Sequence, residues 1–169
     1  LLSQKMRYYF QLLRWNKPSG RLILLIPAGW SLWLTPSAPP SMYILGVIIS
    51  GGIFVSGAGC IANDIWDRQF DQKVQRTKER PLASRKVSLK TAWILLILML
   101  ILSLFIVLAI PLDSRTLCLQ LSTLTLPFIL LYPSAKRWFK YPQLILSICW
   151  GFSVLIPWAA SESSLAGGI

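Results

Sequence analysis

Five long apolar runs constrain this chain more than any other feature of its sequence. They lie at about residues 19–35, 42–62, 91–110, 117–132 and 142–160. Each approaches the roughly 20 residues that an α-helix needs to cross a bilayer, and a helix satisfies its own backbone polar groups inside lipid. The first and fourth runs are short and contain prolines, Pro27 and Pro127. The pattern predicts an all-α, polytopic transmembrane helix bundle with about five spans, forming a single membrane domain over residues 1–169.

The composition agrees with a membrane protein and excludes several functions. Hydrophobic residues make up 54% of the chain, and its 8 tryptophans suit the headgroup level of a bilayer. The formal net charge of +11 would suggest nucleic-acid binding in a soluble protein, but here the basic residues flank the apolar runs. We therefore expect contact with the lipid bilayer and none with nucleic acid. Because the chain has no histidine, catalytic triads with histidine and histidine-ligated zinc are excluded.

The basic residues are distributed asymmetrically among the linkers. Of the 17 Lys and Arg residues, all but Arg115 lie before residue 22, within 68–90 or within 136–140. The linkers at 35–41 and 111–116 contain only Arg115. Because cytoplasmic loops carry the excess of Lys and Arg, the N-terminus is predicted to be cytoplasmic. We expect an integral, multi-pass protein of a bacterial-type inner (plasma) membrane.

The end of the second apolar run carries four polar residues, Asn63, Asp64, Asp67 and Asp71. At about 100° of rotation per residue, a helix places all four within one arc of about 100°. Carboxylates on one face repel each other and are costly near a membrane, so a compensating cation is expected. Mg²⁺ suits this position because it binds one or two carboxylates together with the phosphate oxygens of a substrate. The four residues are therefore predicted magnesium ligands.

Cationic residues on the same side of the membrane suit a phosphate ligand. Arg76 and Arg80 follow the aspartates, and Lys136 and Arg137 lie in the next linker on that side. Guanidinium groups match phosphate oxygens geometrically, and the segment with Arg80 can fold back over the aspartates. Together with the apolar helices, these residues predict a site for a ligand with a diphosphate head and a hydrocarbon tail.

Three sequence segments resemble the UbiA superfamily of intramembrane prenyltransferases. The segment "NDIWDRQFD" (63–71) is similar to that family's first aspartate-rich motif, NDxxDxxxD, and "RTKERPL" (76–82) is similar to its RTxxRPL continuation. The segment "LLRWNKPSGRLILLIPAGWSLWL" (12–34) resembles its N-terminal pattern, with the following residues in place: Arg14, Lys17, Pro18 and Gly20.

A fourth segment points to one branch of that family. The segment "YPSAKRWFKYPQ" (132–143) resembles the YPxxKRxTxxPQ segment of the 4-hydroxybenzoate branch, although Phe139 or Lys140 stands where the branch has threonine. The family also has nine helices and a second aspartate-rich motif in its later half. This chain has about five apolar runs and lacks that motif, so we expect it to be the N-terminal portion of such an enzyme, inactive in isolation.

The resemblance implies a Mg²⁺-dependent transfer of a polyprenyl group from polyprenyl diphosphate to 4-hydroxybenzoate, in quinone biosynthesis of the ubiquinone or plastoquinone type. Mg²⁺ would neutralise the leaving diphosphate, and the ring carbon ortho to the hydroxyl would attack the allylic cation. Asn63 and Asp67 are the implied principal metal ligands, with Asp64 and Asp71 in support. The implied catalytic residues are Asp64, Asp67 and Asp71. The implied substrate-binding residues are Arg14, Lys17, Arg76, Arg80, Lys136, Arg137 and Tyr132.

Four other interpretations fit the residues less well. Another branch of the same family, of the homogentisate or menaquinone type, would keep the chemistry and change the acceptor. A cation transporter would carry acids near mid-membrane on several helices, whereas these lie at one helix exit. A phosphotransferase of the CDP-alcohol type would have a Gly-x-x-Ala-Arg insert, which residues 64–71 lack. A solvated helix end, with the aspartates paired to Arg68, Lys73 and Arg76, leaves their one-sided clustering unexplained.

Overall fold

The computed structural model describes residues 3–17 and 19–166, and over those residues it is helical with connecting loops. Its six helices are α1 (Gln4–Leu12), α2 (Ser19–Leu34), α3 (Met42–Asp71), α4 (Leu89–Leu108), α5 (Leu112–Ala135) and α6 (Pro142–Glu162). The five predicted apolar runs correspond to α2 to α6, so the all-α bundle is confirmed. Four of these helices are long and apolar enough to cross a membrane, and α2 is a shorter apolar helix. Pro18, which belongs to the N-terminal pattern, lies outside the described residues.

Three boundaries differ from the sequence prediction. Helix α3 continues to Asp71 rather than ending near residue 62, because the polar motif prolongs the helix beyond the apolar run. Helix α5 is longer at both ends than the run at 117–132. Helix α1 was not predicted, because its sequence is polar and its apolar face is too short to stand out; the Ser3 hydroxyl accepts a hydrogen bond from the Met6 N–H and caps it.

Helix α3 is the centre of the bundle. It packs against α1, α2, α4 and α5, while α6 packs against α2 and α5. One cluster of buried apolar residues joins α1 to α3 and α4 and includes Leu12, Ile61 and Leu96. A second cluster, near the start of α3, includes Val47 and Cys118. Large apolar side chains on the outer faces stay exposed, as expected of helices that contact lipid.

The loops fall into two sets at opposite ends of the bundle. The segments after α1, α3 and α5 meet at the end of α3 through ion pairs described below. At the opposite end, the Ser37 N–H donates to the Glu162 carboxylate at 3.2 Å, and the Tyr43 hydroxyl donates to the Ala109 carbonyl. The three basic segments therefore share one end of the bundle, as the charge pattern requires. That this end is cytoplasmic stays a prediction.

Candidate functional site

The four polar residues at the end of α3 divide into two sets that face different partners. Asp64 is only 2% exposed and accepts hydrogen bonds from Arg14 Nη2 at 2.9 Å and from Arg80 Nη1 at 3.2 Å. The same Arg80 nitrogen donates to Asp71 Oδ2 at 2.8 Å. We call these four residues (Arg14, Asp64, Asp71 and Arg80) the inner network. It ties the segment after α1 and the segment after α3 to the end of α3.

The backbone brings both arginines of the inner network into place. Arg14 lies two residues beyond the end of α1 with φ 52°, a left-handed conformation that costs a non-glycine residue about 1–2 kcal/mol. The ion pair with Asp64 offsets that cost. Burial of the Arg14 guanidinium lowers its pKa, but the charge of Asp64, the hydrogen bond to it and the other nearby groups, including Asp71, together outweigh burial, so the pKa of Arg14 lies above its ordinary value. Arg80 returns to α3 because its loop is packed, with Leu82 only 1% exposed in the core.

The other two residues, Asn63 and Asp67, form what we call the outer pair. Lys136 Nζ donates to Asn63 Oδ1 at 3.1 Å and lies 3.8 Å from Asp67 Oδ2. Arg137 Nη2 donates to Asp67 Oδ1 at 3.1 Å. Two oxygens on neighbouring turns of α3 are therefore directed at one cation, here the Lys136 ammonium group.

The segment after α5 supplies the cations of the outer pair. Trp66 Nε1 of α3 donates to the Leu130 carbonyl at 3.0 Å, which holds the end of α5 against α3. Arg137 stacks over Phe70, with Cζ 4.3 Å from the ring centroid. Lys136 lies 5.2 Å from the centroid of the Tyr132 ring. These contacts position a lysine and an arginine over the acidic end of α3.

A cavity of about 1000 Å³ runs from the end of α3 into the bundle. The sequence-predicted site residues in its wall are Arg14, Lys17, Asn63, Asp64, Arg76, Arg80 and Tyr132. The deeper wall is mainly apolar and includes Leu25, Val47, Ile48, Ile106, Val107 and Ile156. Of the remaining predicted residues, Asp71 and Lys136 contact the wall residues Arg80 and Asn63. Asp67 and Arg137 pair with each other outside this wall. A charged mouth above an apolar chamber suits an amphipathic ligand with an anionic head.

Small residues let the cavity pass between α2 and α3. Gly51, Gly52, Ser56 and Gly59 of α3 all lie in its wall. At Gly52 an added Cβ would lie only 2.5 Å from Leu25 Cδ2, so α2 approaches the α3 backbone closely at this point. Gly52 thus allows close packing of the two helices, and the other small residues of the row border the cavity beside α3.

The structure bears on three points of the sequence interpretation. Mutual repulsion among the acids was expected to require a divalent cation, but arginine and lysine side chains already neutralise them. Asp64, Asp67 and Asp71 also do not converge as one metal-binding group in the described part of the chain. The alternative pairing with Arg68, Lys73 and Arg76 is wrong, because the ion pairs of the aspartates in the described part of the chain are instead with the following residues: Arg14, Arg80, Lys136 and Arg137.

One cavity residue, Arg21, was not singled out as a site residue from the sequence. It lies in the first turn of α2, and its side chain lines the cavity beside Lys17. From the sequence alone, Arg21 is interpreted as the last member of a basic cluster that precedes a membrane span. Only its position just inside an apolar helix sets it apart from Lys5 and Arg7.

Comparison with known proteins assigns the chain to a family. Residues 24–169 match the UbiA prenyltransferase family. The chain belongs to that family. It is 44% identical over 154 residues to the 4-hydroxybenzoate solanesyltransferase of Synechocystis sp., an alignment that covers 91% of this chain and 51% of that protein. It is 40% identical over 157 residues to a 4-hydroxybenzoate octaprenyltransferase of Legionella pneumophila, with 93% and 54% covered.

The UbiA-type fold is confirmed by solved structures. The chain superposes with a TM-score of 0.77 on a UbiA homolog from Archaeoglobus fulgidus bound to DMAPP and Mg²⁺, at 17% identity, covering 92% of this chain and 55% of that one. The apo structure of a UbiA homolog from Aeropyrum pernix K1 gives a TM-score of 0.68 at 25% identity, covering 96% and 52%. The chain spans about half the length of the curated relatives it matches.

Proposed function

We propose that this UbiA-family chain takes part in a Mg²⁺-dependent transfer of a polyprenyl group from polyprenyl diphosphate to the aromatic ring of 4-hydroxybenzoate. The observation that carries the proposal is the outer pair, two oxygens directed at one cation position beside a cavity with an apolar interior. The names of its relatives support the acceptor. The reaction would serve quinone biosynthesis of the ubiquinone or plastoquinone type. We expect turnover to require the full-length protein, because this chain spans about half of its relatives.

The donor set of the outer pair fits a magnesium ion. Mg²⁺ prefers oxygen ligands and takes one or two from the protein, leaving the remainder to substrate phosphates and water. The Asn63 and Asp67 side-chain oxygens meet that requirement, and both already accept a cation in the form of Lys136. When bound, the ion would neutralise the charge that develops on the departing diphosphate. Asp64 and Asp71 are less suited to this role, because they share Arg80 and their side chains are only 3% and 11% exposed, against 21% for Asp67.

The basic residues around the cavity mouth would bind the diphosphate. Lys17 and Arg76 line the cavity, and neither forms an ion pair among the described residues. Lys136 and Arg137 would exchange their contacts with the outer pair for contacts with phosphate oxygens. Arg14 and Arg80 stay bound to Asp64, so we assign them and the inner network to positioning the mouth of the cavity.

The chemistry then follows from where the two substrates lie. The apolar cavity would hold the isoprenoid tail and exclude water, so that the allylic cation formed as the C–O bond breaks is not captured by water. The ring carbon ortho to the acceptor hydroxyl would form the new C–C bond, and the ring would then lose its proton to restore aromaticity. The diphosphate would leave with the electron pair of the C–O bond. We propose that the site faces the cytoplasm of a bacterial-type inner membrane.

The test is product formation by the full-length protein in isolated membranes, with polyprenyl diphosphate and radiolabelled 4-hydroxybenzoate. We expect Asp67→Asn to lower turnover by at least about 10- to 100-fold at fixed Mg²⁺, because the loss of a residue that only supports a metal ligand already costs that much. Asp113→Asn, the same change at the opposite end of the bundle, is the matched control and should keep wild-type turnover. Full activity of Asp67→Asn would refute the metal role. If the protein prenylated homogentisate and not 4-hydroxybenzoate, it would belong to another branch of the family.

A further inference from the structure

Arg21 is a cation inside the cavity without an anionic partner among the described residues. Its Nη2 donates to the Trp15 carbonyl at 2.9 Å, which fixes the side chain, but its Nε is buried and has no hydrogen-bond partner in the described part of the chain. The side chain lines the cavity. Arg14 and Arg80, by comparison, each bind a carboxylate.

An arginine that lines a cavity without an anionic partner favours the binding of an anionic ligand. The guanidinium group has five N–H donors and stays charged at any physiological pH, so it cannot escape burial by losing a proton. A buried donor without a partner destabilises the folded protein, and more so when the group is charged. The first turn of α2 adds to this preference, because the N–H groups at a helix start carry a partial positive charge. A ligand oxygen that reached Arg21 Nε would relieve the cost.

The position of Arg21 on α2 distinguishes it from Lys136 and Arg137. Arg21 belongs to the first turn of this apolar helix and lines the same cavity wall as Leu24 and Leu25. Lys136 and Arg137, by contrast, belong to the segment after α5 and contact the outer pair. Two of the cations proposed for the diphosphate, Lys136 and Arg137, therefore lie over the outer pair and outside the cavity wall. Arg21 is placed for a second, smaller anion that enters the cavity beside the prenyl group.

We propose that Arg21 binds the carboxylate of the aromatic acceptor and so makes the protein selective for an aromatic acid. This inference rests on the proposed function, and it assigns the acceptor subsite within it. A carboxylate matches the fork of a guanidinium group, which can donate two parallel hydrogen bonds to it. The contact to Trp15 holds the fork in place before the acceptor arrives. Because the carboxylate lies para to the hydroxyl, fixing it at Arg21 also fixes the direction in which the reactive ring carbon points.

The test compares two acceptors, 4-hydroxybenzoate and the uncharged 4-hydroxybenzamide, in membranes that contain the full-length protein. Arg21→Met should lower kcat/KM for the acid by roughly 10- to 100-fold, the factor expected for a lost charge-assisted hydrogen bond. The KM for polyprenyl diphosphate and the rate with the amide should stay near their wild-type values. Arg21→Lys, which keeps the charge without the fork, should recover part of the preference for the acid. Arg68→Met is the matched control, because Arg68 Nε is also buried without a partner but lies outside this cavity.

The outcomes separate this inference from the function on which it rests. An unchanged acid-to-amide ratio in Arg21→Met would overturn the inference while leaving the prenyltransferase intact. A raised KM for polyprenyl diphosphate with an unchanged ratio would instead make Arg21 a diphosphate ligand and would equally overturn it. A wild-type protein that prenylates neither acceptor would remove the proposed function itself. If Arg21→Met does not accumulate in the membrane, the same comparison is made with Arg21→Gln. That variant retains an N–H donor for the Trp15 carbonyl.

Discussion

Replacement of Asp64 by alanine removes the acceptor that Arg14 and Arg80 share. In the folded protein the Asp64 side chain is 3% exposed, and its Oδ1 lies 2.9 Å from one guanidinium and 3.2 Å from the other. The substitution leaves Arg14 without a carboxylate and Arg80 with Asp71 alone. It should therefore loosen the contact of the segment after α1 with α3 before it affects any bound metal.

The size of this effect can be worked out from the exposure of the partners. Removing one member of a buried ion pair costs about 3–5 kcal/mol. The low end applies here, about 3 kcal/mol, because the Arg14 and Arg80 side chains remain 37% and 25% exposed and can recover some hydration. The control is Glu79→Ala. Its ion pair with Lys86 spans 3.4 Å, and the Glu79 side chain is 74% exposed, so the loss should not exceed about 1 kcal/mol.

The assay is thermal unfolding of the purified full-length protein in detergent, with each variant measured beside the wild type. We expect Asp64→Ala to unfold at a clearly lower temperature than Glu79→Ala. The double variant with Arg14→Ala should lose less stability than the sum of the two single losses, because the two residues contact each other. Wild-type stability of Asp64→Ala combined with complete loss of turnover would refute the reasoning and make Asp64 a catalytic residue.

Two further predictions concern the cavity and the topology. Gly52→Phe should fill the cavity between α2 and α3 and so shift the products towards shorter isoprenoids. Gly46→Phe, which lies outside the cavity wall, should leave the product length unchanged. Identical product lengths for the two variants would show that the tail lies elsewhere. In intact cells a membrane-impermeant maleimide should label Ser37→Cys. The same reagent should label Lys78→Cys only after the cells have been permeabilised. The reverse labelling would invert the predicted orientation.

Much of the fold could be predicted because hydropathy acts over whole helices. The apolar runs located α2 to α6, and the asymmetry of the basic residues grouped the correct loops at one end of the bundle. Helix α1 escaped prediction because its stability comes from packing Leu12 against α3 and not from a pattern visible within nine residues.

The candidate site could be predicted as a set of residues but not as a set of contacts. Helical rotation places Asn63 and Asp67 within about 40° of each other, and Asp64 and Asp71 within about 20°. Because the two sets point in different directions around α3, Asn63 and Asp67 contact the segment after α5, whereas Asp64 and Asp71 contact Arg14 and Arg80. Which cation meets which acid depends on loop paths, such as the left-handed turn at Arg14, that sequence spacing does not encode.

The central claim is tested most directly by mass spectrometry of the product that the full-length protein forms in membranes from polyprenyl diphosphate and 4-hydroxybenzoate, with Mg²⁺ and with EDTA. The account predicts 4-hydroxybenzoate carrying the polyprenyl group on the ring carbon ortho to its hydroxyl, formed with Mg²⁺ and absent with EDTA. Equal product in EDTA, or no ring-prenylated product with Mg²⁺, would contradict it.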